Sequence, residues 1–442
     1  MQAEMMSYIQ PNDYVYQETA LMALNYFLTP LLATVFFILA LYPCALKIGF
    51  TDKPSHRKQH QKHTPLIGGI AIYFAILVTL FFNDGPLPNQ TAFIAAVSLL
   101  VCVGLIDDYK GLDVKTRFIA QIAAGLIMAE LAHIKIIDLG DLLGLGNIHL
   151  GSYATAFTLF AVVGGINAFN MIDGIDGLAG SLTLISMASI AVVSWIFQDW
   201  TLFKFCIIFI ASILAFLLFN LRIFGRSSAK VFLGDTGSTL LGFTVCWLSI
   251  DASQGDKNLI TPTTVLWIMA LPLFDSVCIM LRRLSRGRSP FNPDREHLHH
   301  VFHVAGYSID QTLSAMLFFS VGLSFTGITA SLFLKVPEPV LFGFFILLFI
   351  SHYWLMDHAW MTIKISRYLN RTKAVDRRVE NQRTEADMRS KIDRRYTPTQ
   401  QEIENNDKFN GFYGAAFLGQ RFRHKSNGQK ILKPGENQTT AS

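Results

Sequence analysis

A chain of 442 residues that is 51% hydrophobic and only 16% charged, with 36 phenylalanines, falls short of the roughly one quarter of charged residues found in water-soluble domains. That deficit excludes an ordinary soluble fold and fits an outer surface solvated by lipid; with a formal net charge of only +5, no nucleic-acid partner is expected. The five cysteines, Cys44, Cys102, Cys206, Cys246 and Cys278, stand singly in apolar runs and lack the paired spacing of a zinc site or a disulfide framework.

Residues 1–20 contain Glu4, Asp13 and Glu18 but no Lys or Arg, so no cleaved secretory leader is expected and the first apolar run should remain as a membrane span. Crossing a bilayer takes about 20 apolar residues. Spans are predicted near 23–46, 66–83, 90–106, 117–134, 153–170, 178–197, 201–220, 236–250, 261–281, 311–333 and 338–361, eleven in all. They should be helices, because backbone polar groups cannot go unpaired in lipid. Lys and Arg concentrate in one set of loops: Lys47 to Lys62, Lys110 to Arg117, Arg222 to Lys230, and Arg282 to Arg295. The other set holds little beyond Lys135, Lys257 and Lys335. The positive-inside rule then gives an all-α, polytopic transmembrane bundle of about eleven helices, with a periplasmic N-terminus and a cytoplasmic C-terminus. Residues 1–22 form an extracytoplasmic segment and 23–365 the transmembrane domain. Residues 366–442 are read as a charged cytoplasmic tail, disordered except for one exposed helix at 373–394.

Carboxylates close to membrane depth are costly and mark function. The acidic motifs of this chain all fall on the predicted cytoplasmic side. Asp107-Asp108 closes an apolar run; two adjacent carboxylates call for a divalent cation with oxygen ligands, or else form a solvated helix end. In Asn167-Ala168-Phe169-Asn170-Met171-Ile172-Asp173-Gly174-Ile175-Asp176-Gly177, a polar side chain recurs every third residue. That spacing places them on one helical face that reads a base or ribose and helps hold metal; the alternative is a turn. Phe232-Leu233-Gly234-Asp235-Thr236-Gly237-Ser238 sets a carboxylate between glycines at the start of a span. Thr236 or Ser238 would cap that helix, and Phe232 is either an aromatic platform or ordinary packing. Asp294-Arg295-Glu296-His297-Leu298-His299-His300 forms a cationic loop suited to phosphate oxygens; a zinc site is the rival reading but lacks nearby cysteine. The basic run from Lys53 to His63 is accounted for by topogenic charge and anionic lipid, or by a phosphate-binding role for which Lys58 is the candidate. Together these groups supply what phosphoryl transfer requires: a metal to bridge phosphate oxygens and placed positive charge.

At these residues the sequence resembles the polyprenyl-phosphate N-acetylhexosamine-1-phosphate transferases, over about residues 25–365. The paired-aspartate motif corresponds to Asp107-Asp108, the nucleotide loop to Asn167–Gly177, the glycine-flanked aspartate to Phe232–Ser238 and the histidine loop to His297-Leu298-His299-His300. Tyr109 after the aspartate pair and the His-x-His-His form favour the branch that moves N-acetylglucosamine 1-phosphate. The alternative branch, which moves UDP-MurNAc-pentapeptide in peptidoglycan synthesis, tends to carry a third aspartate and three consecutive histidines.

The resemblance implies a Mg²⁺-dependent attack of undecaprenyl phosphate on UDP-GlcNAc, with Mn²⁺ able to substitute, at the cytoplasmic face of a bacterial inner membrane. The product would open a cell-surface polysaccharide pathway such as O-antigen and lipopolysaccharide synthesis, and a homodimer is among the expected assemblies. It further implies catalytic roles for Asp107, Asp108, Asp235, His297, His299 and His300, and metal ligation by Asp235 with Asp108, Asp107 and Asn170. Lys58, Asn170, Asp173, Asp176, Phe232 and Arg295 would bind substrate. A lipid or ion transporter is the rival from another class, but transporters place such groups near the midplane in matching halves.

Overall fold

The computed structural model describes residues 13–52, 63–82, 89–223, 226, 228–255, 257–287, 289 and 297–358, with side chains in the first helix from residue 25 onward. Lys58, Arg295 and the tail from residue 359, including the helix expected at 373–394, lie outside the described residues.

Helix α1 (Asp13–Ile48) is followed by a two-stranded antiparallel ribbon, β1 (Thr51–Asp52) with β2 (Thr64–Pro65). Then come α2 (Gly68–Phe82), α3 (Gln90–Lys110), α4 (Val114–Leu126) with a π-turn at Ile127–Leu131, α5 (Ala154–Ile172), α6 (Leu178–Ile196) and α7 (Trp200–Asn220). The described chain closes with α8 (Gly234–Ser253), α9 (Pro262–Ile268), α10 (Ala270–Ser285), α11 (Leu298–Ala305), α12 (Ile309–Ile328) with a π-turn at Thr329–Phe333, and α13 (Glu338–His358).

Every predicted span meets a helix, but not every helix is built to face lipid. Among the described residues, seven helices are long and apolar enough to cross a membrane, or eight if α9 and α10, bent by 83° at Met269, make one span. Leu28, Leu32, Phe36 and Leu39 lie exposed along one face of α1, as do Phe344, Leu347, Ile350 and Trp354 on α13. In water such stripes would be sticky patches; in a bilayer they are the solvated surface.

Helix α8 behaves in the opposite way. Its length suffices, yet Gly, Ser and Thr dilute its hydropathy, because it runs through the middle of the bundle rather than along its surface. Packed by α3, α5, α2 and α6, it keeps all but a few residues buried. Trp247 and Phe243 meet Phe93 of α3 with ring centroids 5.2 and 6.4 Å away, and Phe205 of α7 closes on Phe93 at 5.0 Å. A helix sheathed by protein has no need to be apolar all round, and its hydroxyls bond back to their own turn, as Thr244 Oγ1 does to the Leu240 carbonyl at 2.8 Å.

The span expected over 261–281 is broken. Thr261 caps α9 by accepting from the Thr264 N–H, and Pro262 occupies the first turn where a missing N–H costs nothing. After the break, α10 carries Asp275, Arg282 and Arg283 inward, all buried, so it is not uniformly apolar. At the end of the bundle away from the acidic motifs, the 133–150 segment is braced by side chains. Gln254 Oε1 accepts from the N–H groups of Ile137 and Asp138 at 3.0 and 3.1 Å, and Glu338 accepts from Asp141 N–H at 2.9 Å.

Candidate active site at the N-terminus of helix α8

The site assembles where α8 begins. Gly234 has φ +73°, a left-handed conformation that glycine adopts without strain, and it turns the chain so that the first N–H groups of α8 point at α3. Asp108, in the last turn of α3, receives them. Its Oδ1 accepts from Asp235 N–H at 2.8 Å, and its Oδ2 accepts from Thr236 N–H at 3.1 Å and from Thr236 Oγ1 at 2.7 Å. The cap of α8 therefore comes from a side chain 127 residues away, not from Thr236 or Ser238 as the local sequence suggests.

Asp235 itself sits in the first turn of α8. Asn170, in the last turn of α5, donates from Nδ2 to Asp235 Oδ1 and to Ser238 Oγ, both at 2.8 Å. The carboxyl of Asp107 abuts that of Asp235. Asp107 is also held from the other side, by Leu112 N–H on Oδ1 at 2.6 Å and by Arg117 Nη1 at 3.3 Å from Oδ2.

The loop after α5 departs from the expected single helical face. Helix α5 ends at Ile172, so Asn167 and Asn170 are helical while Asp173 and Asp176 lie in the turn closed by Gly177 at φ +84°. Asn167 looks away from Asp235, donating to Gln121 Oε1 at 2.7 Å. Asp173 is open to solvent yet hemmed in by other carboxylates. Confinement among protein atoms, then the negative charges of Asp235, Asp176 and Asp108, push its carboxyl up to about 7. Asp176 braces the loop: its Oδ2 accepts from Arg222 Nε at 2.8 Å and from Ala229 N–H at 3.1 Å. Asn220 adds a second strut, accepting from Gly177 N–H at 2.6 Å and donating to the Val231 carbonyl at 2.8 Å.

Phe232 is fixed through its backbone. Its N–H donates to the Pro65 carbonyl and its carbonyl accepts from Gly68 N–H, both at 2.9 Å, which ties the segment before α8 to β2 and the start of α2.

The histidine motif opens α11 and reaches the same turn. His299 is buried with both ring nitrogens sealed and without hydrogen-bond partners, and its ring packs directly on Gly174, where an added Cβ would lie 2.2 Å from Cε1. Burial, then the neighbouring His300 and His297, push the His299 ring down to about 3, so it is neutral at physiological pH. The His300 ring lies tilted against it with centroids 4.2 Å apart. His297 is held by a residue the sequence reading passed over: Asp275 of α10, wholly buried, with its Oδ2 2.8 Å from His297 Nδ1 and its Oδ1 accepting from Leu298 N–H at 2.8 Å.

The structure thus brings together Asp107, Asp108, Asn170, Asp173 and Asp235, and joins His297, His299 and His300 to the Asp173–Gly177 turn through Gly174. Among the described residues, no three His, Cys, Asp or Glu side chains enclose a metal position by themselves. The supporting groups Arg117, Gln121, Asn220, Arg222 and Asp275 were missed by the motif reading. Asp275 carried a signal, a lone carboxylate inside the apolar run Leu271-Pro272-Leu273-Phe274.

Comparison with known proteins agrees with this geometry. The profile of glycosyl transferase family 4 matches residues 90–253, the stretch from the start of α3 to the end of α8. An undecaprenyl-phosphate alpha-N-acetylglucosaminyl 1-phosphate transferase of Salmonella typhi is 39% identical over 363 residues, 82% of this chain and 97% of its own length. Its counterpart in Escherichia coli (strain K12) is 40% identical over 342 residues, 77% of this chain and 92% of its own. That of Haemophilus influenzae is 35% identical over 343 residues, 78% and 96% respectively. A multi-pass helical membrane protein, with the acidic motifs gathered at one helix terminus and this likeness over nearly the whole length of its relatives, belongs to the undecaprenyl-phosphate alpha-N-acetylglucosaminyl 1-phosphate transferases of glycosyl transferase family 4.

Proposed function

We propose that this chain transfers N-acetylglucosamine 1-phosphate from UDP-GlcNAc to undecaprenyl phosphate, releasing UMP, as the first membrane step of a cell-surface polysaccharide. The observation that carries the reading is the convergence of Asp107, Asp108, Asn170 and Asp173 on Asp235 at the N-terminus of α8. Such a cluster suits a diphosphate delivered with a divalent cation, and the relatives' names supply the acceptor and the sugar.

Mg²⁺ fits the donor set. It takes one or two carboxylates and leaves its other positions to water and substrate phosphates, so no closed cage of protein ligands is needed. Asp235 would hold it, with Asp107 and Asn170 beside it and Asp108 fixing the Asp235 backbone. When bound, the ion would supply Lewis-acid stabilisation of the charge that develops in transfer.

The reaction then asks for alignment more than for base catalysis, because a lipid phosphate monoester is largely ionised at neutral pH. A phosphate oxygen of the lipid attacks the β-phosphorus; the bond from that phosphorus to the bridging oxygen breaks, and UMP leaves with the electron pair. The His297–His300 motif, packed on the Asp173–Gly177 turn, is suited to hold the diphosphate or sugar, and Phe232 to stack on uracil. Lys58 and Arg295 would add positive charge.

In this reading α2, α4 with its π-turn, α8 and the α9–α10 pair also cross, giving eleven crossings. The Lys and Arg distribution then puts the N-terminus outside and the site in the cytoplasm. Single cysteines at Lys110 and Lys335 labelled from opposite sides of sealed vesicles would test the orientation.

Purified protein in detergent, given undecaprenyl phosphate, Mg²⁺ and radiolabelled UDP-GlcNAc, should pass label to the lipid phase and release UMP. EDTA and Asp235→Asn should abolish the transfer. Label entering lipid only from another UDP-sugar would overturn the sugar assignment and leave the chemistry, whereas no transfer from any UDP-sugar by folded protein would turn the reading towards transport.

A further inference from the structure

We propose that Asp275 is a positioning residue of the transferase, acting by fixing which nitrogen of His297 carries the proton. The proposal rests on the site reading above and adds to it a role for a buried carboxylate that no motif contains.

The geometry is restrictive. Asp275 is fully buried on α10, and its two oxygens have different partners. Oδ1 accepts from the Leu298 backbone N–H at 2.8 Å, and Oδ2 lies 2.8 Å from His297 Nδ1. The first contact caps the opening turn of α11, whose own N-cap, His297, offers no side-chain bond. A backbone N–H can only donate, so Oδ1 must stay an acceptor. A carboxylate then leaves Oδ2 as an acceptor too, and the proton of the imidazole must sit on Nδ1.

The consequence falls on the other nitrogen. Both ring nitrogens of His299 are sealed and that residue is 1% exposed, whereas His297 keeps 7% exposure. With Nδ1–H committed to Asp275, Nε2 is left as the lone pair of the neutral ring. His297 stacks on His299 at 5.5 Å with ring planes 12° apart, and His299 rests on Gly174, so the His297 ring belongs to the same wall as the Asp173–Gly177 turn. A lone pair held there would accept from a hydroxyl or N–H of the sugar, which the Nε2–H of the opposite tautomer could not do.

Asparagine at position 275 makes the discriminating variant. Its oxygen must serve Leu298 N–H, because the amide NH₂ cannot. The NH₂ therefore faces His297 Nδ1 and forces the proton to Nε2. The α11 cap survives while the tautomer is inverted. Serine, by contrast, is the poorer structural substitute but imposes no tautomer, since a hydroxyl both donates and accepts.

The test uses the full chain in detergent with undecaprenyl phosphate, Mg²⁺ and UDP-GlcNAc, and measures kcat, KM and the thermal unfolding midpoint for Asp275→Asn, Asp275→Ser, His297→Gln and the doubles. Asp275→Asn should lower kcat by roughly 10²-fold, with KM and the midpoint little changed. Asp275→Ser should retain more activity than Asp275→Asn despite a lower midpoint. In the His297→Gln background neither change should cost more than a few-fold. A merely structural Asp275 would give the reverse order, serine worse than asparagine, and its losses would persist without His297; either result overturns the proposal. If Asp275→Asn does not fold, the Asp275→Ser and His297→Gln cycle decides alone. An inactive wild-type protein would instead refute the transferase reading, so the two failures are distinct.

Discussion

Gly234→Ala adds one methyl group to a residue with no side chain of its own, and it should disable the site. The backbone there has φ +73°, where a residue with a Cβ pays about 1–2 kcal/mol. The new Cβ would also lie 2.6 Å from Asp108 Oδ2 and 3.1 Å from its Cγ, with the Thr236 backbone and hydroxyl on the far side of that carboxylate. Asp108 must then move off the N–H groups of Asp235 and Thr236, and each buried donor left unpaired costs about 1–3 kcal/mol. The expected destabilisation is about 3–8 kcal/mol, and a shift of Asp235 of about 1 Å should lower turnover roughly 10²-fold. Gly164→Ala is the control: it lies on α5 with nothing within 4 Å of its built Cβ, so it should change stability by no more than about 1 kcal/mol. Tryptophan-detected unfolding in detergent and radiolabel transfer read the two effects. If Gly234→Ala matches Gly164→Ala in both, the account of Asp108 as the cap of α8 is wrong.

Other consequences can be checked in the same preparations. Gly174→Ala should drive its Cβ into the His299 ring and lower activity at least tenfold, with Gly322→Ala, which meets open space, as the neutral comparison. Because His299 is held down to about 3 in the fold against 6.5 in the unfolded chain, its contribution to stability is complete above pH 6.5 and is lost as pH falls below that. The unfolding free energy should thus drop by up to about 1.4 kcal/mol per pH unit below 6.5, and His299→Asn should remove that slope between pH 6.5 and 5. Lys257 donates to Asp251 at 2.6 Å and lies 3.2 Å from Asp199, so Lys257→Met should destabilise by about 1–3 kcal/mol and Asp251→Asn should recover part of the loss in the double variant.

What the sequence disclosed and what it withheld follow from the range of each signal. Apolar runs are local, so each predicted run coincides with helix, although among the described residues only seven of those helices, or eight with α9 and α10 joined, are long and apolar enough to cross a membrane. Carboxylates at the ends of such runs are costly, so Asp107, Asp108, Asp173 and Asp235 stood out before any contact was known. Their division of labour was not legible. Asp108 caps a helix that begins more than a hundred residues later, and Asp176 engages Arg222 and Ala229 rather than sharing a face with Asn170. The three-residue rhythm from Asn167 to Asp176 looked helical because spacing alone cannot show where glycine ends a helix; α5 stops at Ile172. Pro272, in the first turn of α10, marks the break at Met269: it has no N–H for the Ile268 carbonyl, which accepts instead from the hydroxyls of Ser186 and Ser324. The burial of α8 by protein was hinted at only by the Gly, Ser and Thr that dilute its hydropathy.

The position of α8 explains why so much negative charge can gather in one place. Its unsatisfied first-turn N–H groups and the positive end of its dipole face the carboxylates, which is the arrangement in which acidic groups at a helix start are stabilised. Asp108 takes the N–H groups themselves, Asp107 is offset by Arg117, and Asp176 by Arg222. Asp235 and Asp173 have no such cationic partner among the described residues, and confinement together with the neighbouring carboxylates pushes Asp173 up to about 7. The fold has therefore given Asp107, Asp108 and Asp176 hydrogen-bonding or cationic partners and left Asp173 and Asp235 without a cation. Under the proposed function, whose substrates are both phosphates, the missing positive charge would arrive with the donor and its cation, and assembly of the reactive site would be tied to binding of the nucleotide sugar.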